Sequence, residues 1–254
     1  MLLIAADCCC CASAAASLLP PCPRLLCILP RALTATPTVY PAPCPKVPRS
    51  ITYDSKLQKL LAAPVEEMKL LRGTVLGSHT NAAVAAGGAL DLMSSAASSP
   101  QGVAAPAPTT SYDVEAAVAL PKGAATRFGA AILAANKSTA RIFLEVNVSA
   151  PDATTGYRAV NMTASIPHAK AGVNTTMSFA LPDADSFELR ILADRTIVEI
   201  FGGGGRGVVS MPAATSPAGG TAPAMASVFL FGIDGGITVA TATAYGKLHT
   251  GPPP

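Results

Sequence analysis

Two pairs of carboxylates lie close together in the sequence, and paired carboxylates can supply the acid and the base of a hydrolytic reaction. Glu66 and Glu67 are adjacent, whereas Asp183 and Asp185 are separated by one residue and follow a proline. Basic side chains closely follow the first pair, and aspartates beside a turn proline commonly accept hydrogen bonds from backbone amides. We therefore interpret both pairs as structural and predict no active site at either.

The histidines and cysteines do not suggest a nucleophilic centre. His79, His168 and His249 are far apart, and no Gly-x-Ser-x-Gly sequence lies near them, so each is interpreted as a loop residue. The cysteines all precede residue 45, and four of them are consecutive, which is not the spacing of paired zinc ligands. We predict no metal, no other cofactor and no disulfide beyond residue 44. The cysteines are Cys8, Cys9, Cys10, Cys11, Cys22, Cys27 and Cys44.

A glycine-rich run from Gly202 to Gly207 satisfies the Gly-x-Gly-x-x-Gly pattern of a dinucleotide site. Such a site needs a helix after the glycines, because the amides at the helix N-terminus bind phosphate. The residues from Val208 to Pro212 have the pattern of a strand instead. The run therefore predicts a hairpin loop.

Composition restricts the possible partners. The net charge of +3 is small for 254 residues and the basic residues are scattered, so we predict no nucleic-acid interface. Charged residues make up 13% of the chain, against about 25% in an average domain. The hydrophobic half contains much alanine and no tryptophan, which predicts a core of small side chains and few aromatic platforms for a ligand.

Residues 1–47 are interpreted as a disordered leader or a possible signal segment, because proline, cysteine and short apolar runs alternate there without a period. The stretch from Met1 to Leu19 contains Ala12-Ser13-Ala14, which is similar to a signal cleavage site. Against a signal, Asp7 interrupts the stretch and no basic residue precedes it. The stretch is too short and too broken to predict a membrane span.

From residue 111 onward the hydrophobic period is two, which predicts strands with one buried face. Tyr112 to Leu120 and Ile142 to Val148 show this alternation clearly. About ten such strands with almost no helix predict an all-β fold, a two-sheet antiparallel β-sandwich of the lectin-like jelly-roll type. The further strands are predicted at 127–134, 157–166, 175–181, 187–192, 196–201, 207–211, 226–232 and 237–245.

The region before residue 111 is less regular. Ile51 and Tyr53 alternate with polar residues and predict a strand that ends at Asp54. Residues 64–72 predict a short helical turn that begins at a proline and ends before a glycine. Alanine, glycine, serine and proline predominate from 82 to 110, which predicts a long loop, most pronounced at 94–110, around a possible short strand at 89–93.

Glu199 lies among apolar residues in the middle of a predicted strand, and a carboxylate there needs a cationic partner. Arg190, Arg195 and Arg206 are the arginines on or beside the neighbouring strands, so we expect a structural cross-strand pair rather than a catalytic group. Asp194 is expected to accept hydrogen bonds from backbone amides in its turn.

Two stretches carry more specific information than an all-β pattern. The first contains Pro48-Arg49, then Pro64-Val65-Glu66-Glu67, then Leu71-Arg72. The second runs from Phe187 through an Asp-Arg-Thr turn to Phe201 and the glycine-rich hairpin. Together they resemble glycoside hydrolase family 32, the invertases and fructan hydrolases, at the passage from the catalytic propeller into the C-terminal sandwich and within that sandwich. The matching positions are Pro48, Arg49, Glu66, Glu67, Arg72, Asp194, Arg195, Glu199 and Phe201.

The resemblance implies a linker at 48–72 and a sandwich at 73–254, after the leader at 1–47. In the family, two carboxylates about 5 to 5.5 Å apart cleave the glycosidic bond with retention, and the propeller supplies the family's active-site acids in Asn-Asp-Pro-Asn-Gly, Arg-Asp-Pro and Glu-Cys sequences. This chain has no Asp-Pro and no Glu-Cys pair. No catalytic residue can therefore be assigned, and the chain alone is expected to be inactive.

The resemblance also implies partners, namely a catalytic propeller and a carbohydrate that contains fructose, with no membrane span. Two alternatives stay open. One is a free-standing carbohydrate-binding module, which the absence of tryptophan disfavours, and the other is a gene fragment without an independent role.

Four asparagines begin Asn-x-Ser/Thr sequons, which accept N-linked glycans in proteins that enter the secretory pathway. They are Asn136, Asn147, Asn161 and Asn174. The surrounding region is rich in serine and threonine, so chance occurrence stays open as well. The extracellular or vacuolar setting of the resembling family favours a secreted protein.

Overall fold

The computed structural model describes residues 47–94, 111–167, 173–182, 184–194, 197–213 and 227–246. The predicted leader up to residue 46 and the loop at 95–110 lie outside these residues, as do His168, Asp183, Arg195 and His249. No helix in the described ranges is long and apolar enough to cross a membrane.

The described part of the chain contains fourteen strands and one 3-10 helix. The helix is Glu66–Leu71, where the sequence predicts a helical turn. The strands are β1 Arg49–Asp54, β2 Lys59–Pro64, β3 Val75–Val84, β4 Leu90–Asp91, β5 Ser111–Ala119, β6 Thr126–Ala134, β7 Ile142–Val148, β8 Arg158–Ile166, β9 Val173–Leu181, β10 Ser186–Asp194, β11 Ile197–Gly202, β12 Gly207–Pro212, β13 Ser227–Gly232 and β14 Ile237–Gly246.

Twelve of these strands form two six-stranded antiparallel sheets that face each other, which confirms the predicted sandwich. The first sheet has the order β12-β11-β10-β5-β14-β3, and the second has the order β4-β13-β6-β7-β8-β9. The remaining two strands, β1 and β2, pair only with each other.

The core lies between the two sheets and follows from the period of two. In β7, Ile142, Leu144 and Val146 are completely buried, while the residues between them are more exposed. Phe128 of the second sheet meets Phe187 of the first edge to face, with ring centroids 5.6 Å apart. The sheets are therefore joined by side chains that the alternation alone assigns to the inner face.

Arg158 is a buried cation that no sequence pattern indicated. Its side chain lies at the start of β8, and the residue is 1% exposed. The guanidinium donates hydrogen bonds to the carbonyl oxygens of Pro121, Ala124 and Ser149 at 2.9, 2.9 and 3.2 Å. Because these carbonyls belong to connections between strands, Arg158 fixes one end of the second sheet.

The sequence pattern does not predict strands β2 and β3. For β3, the burial pattern explains this difference. Gly77 and His79 are buried in its first half, whereas Val84 is buried in its second half, so the alternation changes phase within the strand. Asn81, between them, has a left-handed φ of 50°. The interpretation of His79 as a loop residue is wrong, because His79 is a strand residue and 5% exposed.

We predict that Phe187→Ala destabilises the domain by about 3 to 5 kcal/mol, because the substitution leaves a cavity where the two sheets meet. Urea unfolding followed by circular dichroism measures the change. Tyr53→Ala is the matched control, since Tyr53 is 62% exposed, and it should change the free energy of unfolding by less than about 0.5 kcal/mol. Equal effects of the two substitutions would contradict the assignment of Phe187 to the core.

Candidate functional site

Residues 47–73, which we call the cover segment, pack over the outer face of the first sheet. The segment consists of the β1–β2 hairpin, the 3-10 helix and their flanks. Met68 of the helix is buried together with Leu192 of β10 and Phe201 of β11 in a small hydrophobic cluster that is separate from the main core. The segment is joined to β14 where the amide of Gly73 donates to the carbonyl of Gly246 at 2.9 Å.

Glu199 is completely buried beneath the cover segment. Its neighbours across the sheet are Leu192 on β10 and Ser210 on β12, so the sheet itself offers only one hydroxyl donor, at 2.8 Å. Arg49 Nη2 donates to Glu199 Oε1 at 2.6 Å, and the amide of Val47 donates to Oε2 at 3.0 Å. Of the three donors to this carboxylate among the described residues, two therefore come from the cover segment.

The predicted partners of Glu199 require a correction. Glu199 has an arginine partner as expected, but Arg49 takes this place rather than Arg190 or Arg206, and Arg195 lies outside the described residues. Arg190 lies opposite Phe201 in the register of β10 and β11, so its guanidinium reaches the acids of β5 on its other side. Arg206 belongs to the hairpin turn beyond the strand and pairs with the cover segment instead.

Asp113 on β5 is a second acid that is completely buried on the same outer face. Arg190 donates to both of its oxygens at 3.0 and 2.8 Å, and Arg72 of the cover segment donates at 2.7 Å. Arg72 also forms an ion pair with Glu115 at 2.6 Å and lies 4.3 Å from the ring centre of Tyr245. Burial acts to lower the pKa of Arg72, but hydrogen bonds to Glu115 and Asp113 raise it overall, so this cation stays charged.

The β1–β2 hairpin is attached to the glycine-rich hairpin between β11 and β12. Arg206 pairs with Asp54 at 2.8 Å, and the amide of Ala62 donates to the carbonyl of Gly205 at 3.0 Å. Gly205 has a φ of +87°, and a Cβ atom there would lie 2.8 Å from the carbonyl oxygen of Ala62. The glycines therefore form the predicted hairpin loop and allow the close approach of β2.

The other residues selected from the sequence have local roles. Glu66 is exposed and pairs with Lys69 at 2.6 Å, and this hydrogen bond lowers the pKa of Glu66. Glu67 is exposed beside it.

The carbonyl of Pro48 accepts from the amide of Val65 at 3.2 Å, which closes the base of the hairpin. Arg49 also lies 5.4 Å from the ring centre of Phe201. The carboxylate of Asp194 accepts from the hydroxyl of Ser111 at 3.0 Å, and its expected bonds to the turn amides stay a prediction.

In this arrangement both buried acids hold chain segments together. Among the described residues, the hydrogen-bond partners of the two buried carboxylates are arginines, a hydroxyl and a backbone amide, and the cover segment lies over both acids. An open groove of about 420 Å³ adjoins the segment, and Glu66, Glu115 and Glu188 contribute to its lining. Within the described ranges, no group of three or more His, Cys, Asp or Glu side chains is placed to hold a metal ion.

Comparison with known proteins agrees with this architecture. The family described as "Glycosyl hydrolases family 32 C terminal" matches residues 76–216. Fructan 1-exohydrolase IIa from Cichorium intybus superposes with a TM-score of 0.56 at 19% identity, over 79% of this chain and 40% of that enzyme. Exo-inulinase from Aspergillus awamori superposes with a TM-score of 0.51 at 14% identity, over 80% of this chain and 35% of that enzyme. These similarities concern the fold. No curated protein sequence matches the chain.

We predict that Glu199→Ala destabilises the domain by about 3 kcal/mol, because the substitution removes the partner of the Arg49 cation. This value is near the lower limit for removal of one member of a buried pair, since Arg49 retains some contact with water. The side chain of Arg49 is 22% exposed, whereas that of Glu199 is fully buried. Urea unfolding of Glu199→Ala, Arg49→Ala and the double variant measures the coupling, which should exceed about 1 kcal/mol. Glu66→Ala, in an exposed pair, is the control and should have little effect. The coupling would be refuted if the losses of stability in Arg49→Ala and Glu199→Ala simply add in the double variant.

We also predict an acid-dependent contribution from Asp54. The backbone amide of Leu57 lowers the pKa of Asp54 below its ordinary value of 3.8, burial opposes this, and Arg206 and the amide of Lys56 lower the pKa further. Because the pKa is lower in the folded state, ionised Asp54 stabilises the fold above pH 3.8, and this contribution is lost as the pH falls through the folded value.

Asp54→Asn should therefore be less stable than the unmodified chain at neutral pH, and the difference should shrink on acidification below about pH 4. Urea midpoints measured across this range provide the test. A difference that grows as the pH falls would contradict the assigned direction of the pKa shift.

Proposed function

The chain belongs to the C-terminal domain family of the family 32 glycosyl hydrolases, and on this basis we propose that it is the accessory sandwich of a β-fructofuranosidase-type hydrolase of sucrose or fructans. Its partner is a catalytic propeller outside the 254 residues. The propeller supplies the two carboxylates that cleave the glycosidic bond, and the sandwich supports the propeller.

The state of the buried acids is the observation that carries this proposal. Asp113 and Glu199 are the buried carboxylates of the described residues, and both are engaged by arginines. A hydrolase of this type needs one carboxylate free to attack and another free to donate a proton. The sequence also contains no Asp-Pro and no Glu-Cys pair. Both observations support a catalytic centre that lies in a separate propeller.

The exposed side of the β1–β2 hairpin is the proposed contact for the propeller. Tyr53 and Leu60 are paired across the hairpin and are 62% and 70% exposed, so they form one apolar patch. A two-stranded hairpin is only marginally stable by itself, and apolar side chains paired on its open face favour burial against another domain. The chain spans about 40% of the length of the fructan 1-exohydrolase that it matches. The remaining part of that enzyme is long enough to contain a propeller domain.

Fructan binding by the sandwich alone is the second candidate function. The groove beside the cover segment favours it, because Glu188, Thr241 and Thr243 in its lining can form hydrogen bonds with sugar hydroxyls. The aromatic residue in the lining, Phe201, is 3% exposed and lies near Arg49. A sugar ring therefore has little aromatic surface on which to stack, so we rank this candidate second.

We predict that the purified chain releases no fructose from sucrose, inulin or 1-kestose and does not stay bound to immobilised fructan. Fructose release is measured by an enzyme-coupled assay, with an active fructan hydrolase as the positive control. Fructose release by this chain would refute an accessory role, whereas fructan retention without release would support the second candidate. The proposal also expects an open reading frame with the Asp-Pro and Glu-Cys motifs immediately upstream in the genome.

A further inference from the structure

The structure separates the four sequons into two kinds. All four asparagines are exposed, and all belong to the second sheet or to a turn between its strands. Asn147, Asn161 and Asn174 lie within β7, β8 and β9, respectively, whereas Asn136 lies in the turn between β6 and β7. The glycan acceptors therefore differ in their backbone surroundings, although their sequences are equivalent.

The strand sequons are crowded by their neighbours. Asn147 and Asn161 are direct register partners on adjacent strands, so their side chains project side by side from the same face. The amide oxygen of Asn161 also accepts a hydrogen bond from the hydroxyl of Ser178 at 2.6 Å. Asn174 pairs in register with Ser165. A glycan on any of these residues would lie against a paired strand.

Asn136 has a different environment. The backbone amide of Ser138, the third residue of its own sequon, donates to Asn136 Oδ1 at 2.9 Å. The hydroxyl of Thr139 accepts from the backbone amide of Asn136 at 3.1 Å and holds the turn from the other side. The side-chain oxygen is thus bound within the turn, while the amide nitrogen, which is the acceptor atom, has no hydrogen-bond partner among the described residues.

We propose that Asn136 is the main site of N-linked glycosylation in this domain. A lipid-linked oligosaccharide diphosphate is the donor. A bond forms between Asn136 Nδ2 and C1 of the first sugar, the bond from C1 to the diphosphate oxygen breaks, the lipid diphosphate leaves, and Nδ2 loses one proton. An exposed turn accommodates a bulky glycan more readily than the face of a paired sheet.

The site is compatible with the proposed function but does not depend on it. Asn136 belongs to a turn of the second sheet, whereas the cover segment packs on the first. A glycan at Asn136 therefore leaves the Tyr53 and Leu60 patch free for a partner domain. Failure of glycosylation and failure of the fructose assays are separate results, because neither measurement uses the other site.

Production of the full chain behind a heterologous signal peptide in a eukaryotic secretory host tests the proposal. Deglycosylation in heavy-oxygen water marks each occupied asparagine, and peptide mass spectrometry then gives the occupancy of every sequon. We expect the highest occupancy at Asn136. N136Q and S138A should each lose one glycan from the intact mass, S138T should keep it, and N147Q, the matched control, should leave the occupancy of Asn136 unchanged.

An unmodified Asn136 would overturn the proposal, whether the strand sequons are occupied or all four are empty. Higher occupancy at Asn147, Asn161 or Asn174 than at Asn136 would overturn it as well. Asn136 and Asn147 are both exposed, so N136Q and N147Q should keep the fold, and circular dichroism of both variants checks this directly.

Discussion

The two carboxylates buried on the outer face of the first sheet impose the constraint on which the rest of the structure depends. An ionised carboxylate that is removed from water needs a cation and hydrogen bonds in return. Arg49 provides them for Glu199, and Arg72 shares Asp113 with Arg190. Because Arg49 and Arg72 both belong to the cover segment, two groups of buried charge join that segment to the sandwich. These ion pairs thus hold the cover segment at two points along its length.

The sandwich has two unlike outer faces. The cover segment and its apolar cluster lie over part of the first sheet, and the segment also exposes Tyr53 and Leu60 to solvent. The second sheet instead presents amides and hydroxyls, such as Asn161 bonded to Ser178. An apolar patch next to an anchored segment suits a protein contact. A polar sheet face suits solvent, and the proposed glycan would lie on that side.

Anchoring and catalysis make opposite demands on a carboxylate. A catalytic acid or base must reach the substrate, whereas Glu199 and Asp113 are bound by arginine side chains inside the protein. Arginine suits this role because its planar fork can bind both oxygens of one carboxylate, as Arg190 does with Asp113. These two buried acids therefore fix geometry, which fits the proposed supporting role.

The sequence by itself determined most strands, the hairpin at the glycine run, and the need of Glu199 for an arginine, because side-chain alternation and the cost of a buried charge are local properties. It did not indicate β3, since Asn81 changes the phase of the alternation there. Nor could it select Arg49, which is 150 positions from Glu199 and reaches it from a layer above the sheet. Only the tertiary structure decided that pairing, because the partner of a buried charge depends on which distant segment covers it.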